Sequence, residues 1–154
     1  MDERTKLLPK TLEAMIYGTS GVTMEVFFNA TNRVIETGDP GLRGHSYIWM
    51  FPIWAATGPI ADRVLPKMQK YNALVRGLTY GAVIMAGEYL FGTALRETIG
   101  KCPWSEMYEG SPYSIQDIVR LDFYPLWCMA GLGFEQLWKQ LNPSGSISAP
   151  DTQA

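Results

Sequence analysis

The run GLTYGAVIMAGEYLFGTALR, Gly77 to Arg96, decides how this chain is read. Apart from Glu88 it carries no charge before its closing arginine, and it has the ~20 residues that a membrane-crossing helix needs. Gly77 and Gly81 form a G-x-x-x-G pair. Glu88 lies seven residues beyond Gly81 and Gly92 four beyond that, so helical spacing puts all four on one face. A carboxylate in the middle of such a run requires a partner, a proton or water. The same pattern recurs at Glu25 and Glu135, each with a glycine four residues earlier, at Gly21 and Gly131. The expectation is an all-α polytopic integral membrane bundle of about four hydrophobic segments, with its carboxylates on the inner faces of its helices.

Composition sets bounds around that reading. The 154 residues suit one domain with a core of its own. Only 18% are charged, below the roughly 25% usual in soluble domains. Mean hydropathy is modest for a polytopic protein at −0.04, and the polar ends and loops account for part of that. A net charge of −2 supplies no basic field for nucleic acid, and none is expected as a partner. Cys102 and Cys128 have no metal-ligand spacing and no C-x-x-C motif, and no disulfide is required. The opening MDERTKLLPK lacks the apolar stretch of a cleaved signal peptide.

Residues 1–10 read as a polar N-terminal segment. A first helix is predicted from Thr11 to Val34, with Gly18, Gly21, Glu25 and Asn29 on one face, where small residues admit a neighbouring helix and Glu25 points into the contact. Asp39-Pro40-Gly41 marks a turn. The second segment, Gly44 to Ala61, has no fixed charge, has His45 at its edge, and is broken by Pro52 and Pro59. It is expected as a kinked span or as a re-entrant piece buried in protein. Asp62 to Arg76 reads as a polar, basic connection. Beyond the Gly77–Arg96 helix, Pro103 and Pro112 forbid a continuous helix through the long connection Thr98–Arg120. A short amphipathic piece is expected over Ile115–Leu121. A last helix is predicted from Phe123 to Gln140, so the helical domain covers 11–141, and 142–154 has the composition of a disordered tail. With four crossings, eight basic residues fall on the side of the termini and five on the other, which favours cytoplasmic termini.

Glu25, Glu88 and Glu135 are the candidate ion- or substrate-binding set. An unpaired carboxylate in lipid costs ~2.5–3.5 kcal/mol on insertion scales. Three together would repel unless protonated or bridged by a cation. The alternative is structural: each bonds a neighbouring helix or pairs with Arg43, Arg76, Arg96 or Arg120, or Glu135 lies near headgroup water. His45, Arg96, Arg120 and Asp122 are supporting polar residues, with Arg120 and Asp122 read as a surface ion pair or Asp122 as a carboxylate at a helix start. Cys102-Pro103-Trp104 reads as a rigid corner rather than a reactive thiol site, since thiolate chemistry needs a lowered pKa. There is no Walker motif, G-x-S-x-G, histidine pair or phosphate-cradling glycine loop. No catalytic residue, metal or cofactor is assigned.

The runs IYGTSGVTMEVFF, LRGHSYIWMFPIW, GEYLFGTALRETIGKCPW and RLDFYPLWCMAGLGFEQ resemble the transmembrane protein 229 family, which is grouped with the ABC-transporter type IV (CmpB-like) membrane proteins. The resemblance spans about residues 15 to 138. The positions that carry it are Gly18, Glu25, Pro52, Glu88, Cys102, Pro103, Trp104 and Glu135. Relatives often follow C-P-W with an aspartate and a tyrosine, where this chain has Ser105 and Glu106. The resemblance implies a multi-pass membrane protein and no defined activity. The functional expectation is a membrane component of a transport or permeation system. The rivals are a non-catalytic scaffold or partner-binding subunit, and an intramembrane enzyme acting on lipid. The expected partners are a lipid bilayer and a homo-oligomer or other membrane subunits.

Overall fold

The computed structural model describes residues 9–143, and the polar opening and the tail expected from the sequence lie almost wholly outside them. The described chain is mostly helical and divides after Ile60 into two compact units.

In the first unit, α1 (Lys10–Thr37) stops at Gly38, whose φ of 70° is free of steric cost for glycine and lets its N–H bond the Val34 carbonyl. The chain returns along α1 through an irregular stretch into the short α2 (Met50–Ala55). The approach is close because α1 presents glycine to it. A methyl group built on Gly18 would meet the Phe51 ring at 2.9 Å, and one on Gly21 would lie 2.1 Å from the Trp54 ring. Gly44 answers from the other side: its Cβ would fall 2.0 Å from the Val26 carbonyl oxygen. Tyr17, with no exposed surface, fills the space beside Gly58.

In the second unit, Ala61 and Leu65 are buried on α3 (Thr57–Met68), the helix in which the division falls. The long α4 (Ala73–Ile99) begins at Asn72, whose side chain accepts from the Val75 N–H at 3.0 Å, the usual first-turn cap. It ends at Gly100, with φ of 82°. Helix α5 (Tyr124–Leu141), with a proline in its first turn, packs along α4. The glycines again set the distance. Gly77 and Gly81 lie under Leu132 and Cys128, and Gly131 of α5 lies under Tyr80. Tyr124 adds a hydrogen bond from its hydroxyl to the Leu78 carbonyl at 2.7 Å. Between α4 and α5 a two-residue antiparallel hairpin, β1 (Ser114–Ile115) with β2 (Val119–Arg120), seats the fully buried Ile118 on Gly92.

Several expectations are corrected here. Among the described residues no helix is long and apolar enough to cross a membrane. Helix α4 has the length, at ~1.5 Å per residue, but Gly77, Tyr80, Gly81, Gly87, Glu88, Tyr89 and Gly92 dilute its apolar residues. Helix α1 carries Lys10, Glu13, Glu25, Arg33 and Glu36, and α2 and α3 are short, at 6 and 12 residues. This overturns the polytopic membrane bundle, the integral-membrane location and the orientation count that rested on four crossings. The Gly44–Ala61 segment is neither a kinked span nor a re-entrant helix but the irregular approach, α2 and the start of α3. Pro52 and Pro59 sit at the third position of their helices, where a missing N–H leaves no bond unmade. The basic stretch after Asp62 is helical as far as Met68, and 115–121 is the hairpin with its exit.

Candidate functional site

The three glutamates occupy three separate settings. Glu25, on α1, accepts from the Ser46 hydroxyl and from the Trp54 indole N–H, both at 2.6 Å. Among the described residues no cation pairs with it. Burial pushes its pKa above the ordinary 4.5, and the two neutral donors recover part of that shift. One turn along, the Asn29 amide donates to the His45 carbonyl at 2.8 Å. His45 therefore contributes its backbone, while its ring stands edge-on to Tyr47 at 5.6 Å.

Glu88, on α4, accepts from the Tyr108 hydroxyl at 2.5 Å. The corner around it is rigid. Trp104 is buried and its indole donates to the Ile118 carbonyl at 2.8 Å, while the Ser105 N–H bonds the Cys102 carbonyl. Cys102 is 3% exposed, and burial pushes its thiol up despite Ser105 and Arg96 nearby, the opposite of what a nucleophilic cysteine needs. Arg96 donates to the Gln116 carbonyl at 2.6 Å and to the Ser105 hydroxyl at 3.3 Å, tying the hairpin and the Cys102-Pro103-Trp104 turn to α4.

Glu135, on α5, has no exposed surface. Arg76 reaches one of its oxygens with Nε at 2.8 Å, and Lys139 reaches the other with Nζ at 2.5 Å. Burial alone would raise its pKa, but Lys139, the neighbouring Tyr80 phenol and Arg76 outweigh that and hold it below the ordinary value. Burial and then Glu135 push the Tyr80 phenol well up. Arg76 also donates to the Tyr71 carbonyl, and the Trp138 indole donates to Asp62 at 3.0 Å. Arg120 and Asp122 form a two-bond ion pair, at 3.1 and 2.6 Å, which holds Asp122 below its ordinary value. The Arg120 guanidinium stacks over Phe123 at 4.1 Å.

A common device links the three settings. Each glutamate lies four residues from a helical glycine that admits a bulky side chain: Gly21 under Trp54, Gly131 under Tyr80, and Gly92 under Ile118 and Trp104. Each also has an aromatic group with a polar tip beside its carboxylate: Trp54, Tyr80 and Tyr108. The glycine spacing was legible, but the partners Ser46, Trp54, Tyr80, Tyr108 and Lys139 were not named from the sequence. Lys139 had a readable signal, since an acid and a lysine four apart pair on a helix. Glu13, only 6% exposed, is a further buried acid that the sequence reading passed over. Among the described residues no three His, Cys, Asp or Glu side chains gather as a metal site.

No family model matches the chain and no solved structure is similar to it, so the family resemblance rests on the quoted runs alone.

Proposed function

We propose that this chain is a non-catalytic helical subunit that binds a protein partner, its glutamates fixing its own fold. One observation carries the reading: large apolar side chains stand exposed on its helices and on the turn before α2, while Glu25, Glu88 and Glu135 are turned to internal bonds. Phe27 is 70% exposed, Ile35 77%, Ile48 84% and Leu90 67%. Where such side chains lie together they form the apolar surfaces through which proteins associate. Glu135, by contrast, is sealed between two cations and has no surface to offer a substrate.

The test is chemical cross-linking of the tagged full-length chain in its own cells. The wild-type chain is expected to form a discrete adduct, and Ile35→Glu, Ile48→Glu or Leu90→Glu to weaken it while helix content by circular dichroism stays the same. A wild-type chain that forms no adduct, or an adduct untouched by all three substitutions, would overturn the reading. Glu25→Gln and Glu135→Gln should change thermal stability before they change the adduct.

A further inference from the structure

We infer that the corner between α3 and α4 docks on the anionic headgroups of a lipid surface, resting against it without crossing it. The inference stands apart from the protein-partner reading and uses other residues. From Arg63 to Gly87 the sequence has four arginines and lysines and no acid. Arg63, Lys67 and Lys70 are exposed, and residues 69–75 are exposed without a break, so the chain projects as a tip where α3 gives way to α4. The tip carries large apolar side chains where a water-facing turn would carry polar ones: Tyr71 is 44% exposed, Leu74 71% and Val75 39%. Leu74 and Val75 are consecutive in the first turn of α4, so they point within about 100° of each other. The Lys70 ammonium lies 5.1 Å from the centre of the Tyr71 ring, which joins the basic and apolar parts into one patch.

The charge of the patch selects its occupant. The two acids bonded into this end of the unit are engaged: Asp62 accepts from the Trp138 indole, and Glu135 is buried between Arg76 and Lys139. Against those two acids stand five basic side chains, Arg63, Lys67, Lys70, Arg76 and Lys139, which leaves a net charge of +3. At and beyond the far end of α4, ~40 Å away at 1.5 Å per residue, Glu97, Glu106, Glu109 and Asp122 are exposed. A negatively charged plane draws the basic tip in and turns the acidic end out, so the separation sets an orientation. Clusters of four to eight lysines and arginines beside exposed apolar residues are the make-up of surfaces that bind anionic lipid, the charge attracting and the apolar side chains anchoring among the headgroups. A bilayer surface yields around a projecting tip, whereas a protein partner would have to bring a hollow that matches it. No crossing is involved, in keeping with the absence, among the described residues, of a helix long and apolar enough to span.

Flotation of the purified full-length chain tests this, with vesicles of phosphatidylcholine alone and vesicles in which about a third of the lipid is phosphatidylserine. The chain should float with the second set and not with the first, and should leave it as salt is raised to ~0.5 M, where charges are screened within a few ångströms. Lys67→Gln combined with Lys70→Gln should weaken binding about 25-fold, roughly fivefold per charge. Leu74→Ser should weaken it about tenfold through the lost apolar anchor. Tyr113→Ser, at an exposed residue of the far end, should leave binding unchanged. Circular dichroism should show the same helix content for every variant, since all these side chains are exposed. Equal binding to both vesicle sets, no binding to either, or phosphatidylserine binding that survives the lysine substitutions would overturn the inference. A chain that ignores both vesicle sets but loses its cellular adduct in the same lysine substitutions would also overturn it, assigning the corner to an acidic protein surface. Flotation without a cellular adduct would uphold the lipid contact and remove the protein partner.

Discussion

Glu25 and Glu135 show how two carboxylates in neighbouring sequence contexts come to opposite electrostatics. Each follows a glycine by four and sits beside an aromatic polar tip, yet Glu135 is pressed between Arg76 and Lys139 while Glu25, among the described residues, is held by a hydroxyl and an indole. Replacing Glu135 by glutamine leaves two cations beside a neutral amide and should cost roughly 2–4 kcal/mol, at or below the range for breaking a sealed pair, because both cations keep some solvent. Glu25→Gln keeps an acceptor for one donor and should cost about 1 kcal/mol. Chemical denaturation measures both. The pH dependences should have opposite signs. Glu135 has a lowered folded pKa, so its stabilisation is present above 4.5 and is lost as pH falls through the folded value. Glu25 has a raised folded pKa, so stability falls as pH rises from 4.5 through that higher value. Glu135→Gln should flatten the acid limb of stability against pH, and Glu25→Gln the limb just above it. The sequence picked out these acids by their apolar surroundings and named Arg76 among the available partners. It could not assign Ser46 or Trp54, which reach Glu25 only because the chain doubles back over Gly18 and Gly21.

The helices depend on which glycines are covered. On α5, a Cβ at Gly131 would meet the Tyr80 Cβ at 2.3 Å, whereas one at Gly133 would meet nothing within 4 Å. Gly131→Ala should therefore destabilise by ~1–3 kcal/mol through overpacking. Gly133→Ala should be neutral or stabilise by up to about 1 kcal/mol through helix propensity. Opposite shifts in Tm would separate the two glycines. The long helices were legible because their apolar runs are long and bounded by Gly38, Asn72 and Gly100. Helix α3 was lost behind Arg63, Lys67 and Lys70, although Ala61, Leu65 and Met68 keep helical spacing beneath them. The hairpin was lost because its turn, Gln116-Asp117, takes positive φ at both residues without the glycine or asparagine that announces such turns. Bonds from Arg96 to the Gln116 carbonyl and from the Ser114 hydroxyl to Asp117 hold it instead.

Across the whole molecule, Ser46 and Trp54 hold Glu25 while Arg76 and Lys139 hold Glu135, so the two contributions should add. Glu25→Gln combined with Glu135→Gln should lose the sum of the single losses to within ~0.5 kcal/mol, read from a double-mutant cycle in denaturant. The membrane reading failed at this scale rather than at any one residue. The Gly77–Arg96 run had the span's length, but Gly77, Gly81 and Gly92 serve close contacts with α5 and the hairpin, and Glu88 and Tyr89 serve polar bonds. The buried Cys102 and the more accessible Cys128 also give the molecule a built-in reporter of its own breathing. A thiol reagent should modify Cys128 promptly, while Cys102 waits for the Trp104 corner to lift away. Its labelling rate would then count those excursions, and weakening the Arg96 tether should quicken it while leaving the Cys128 rate alone.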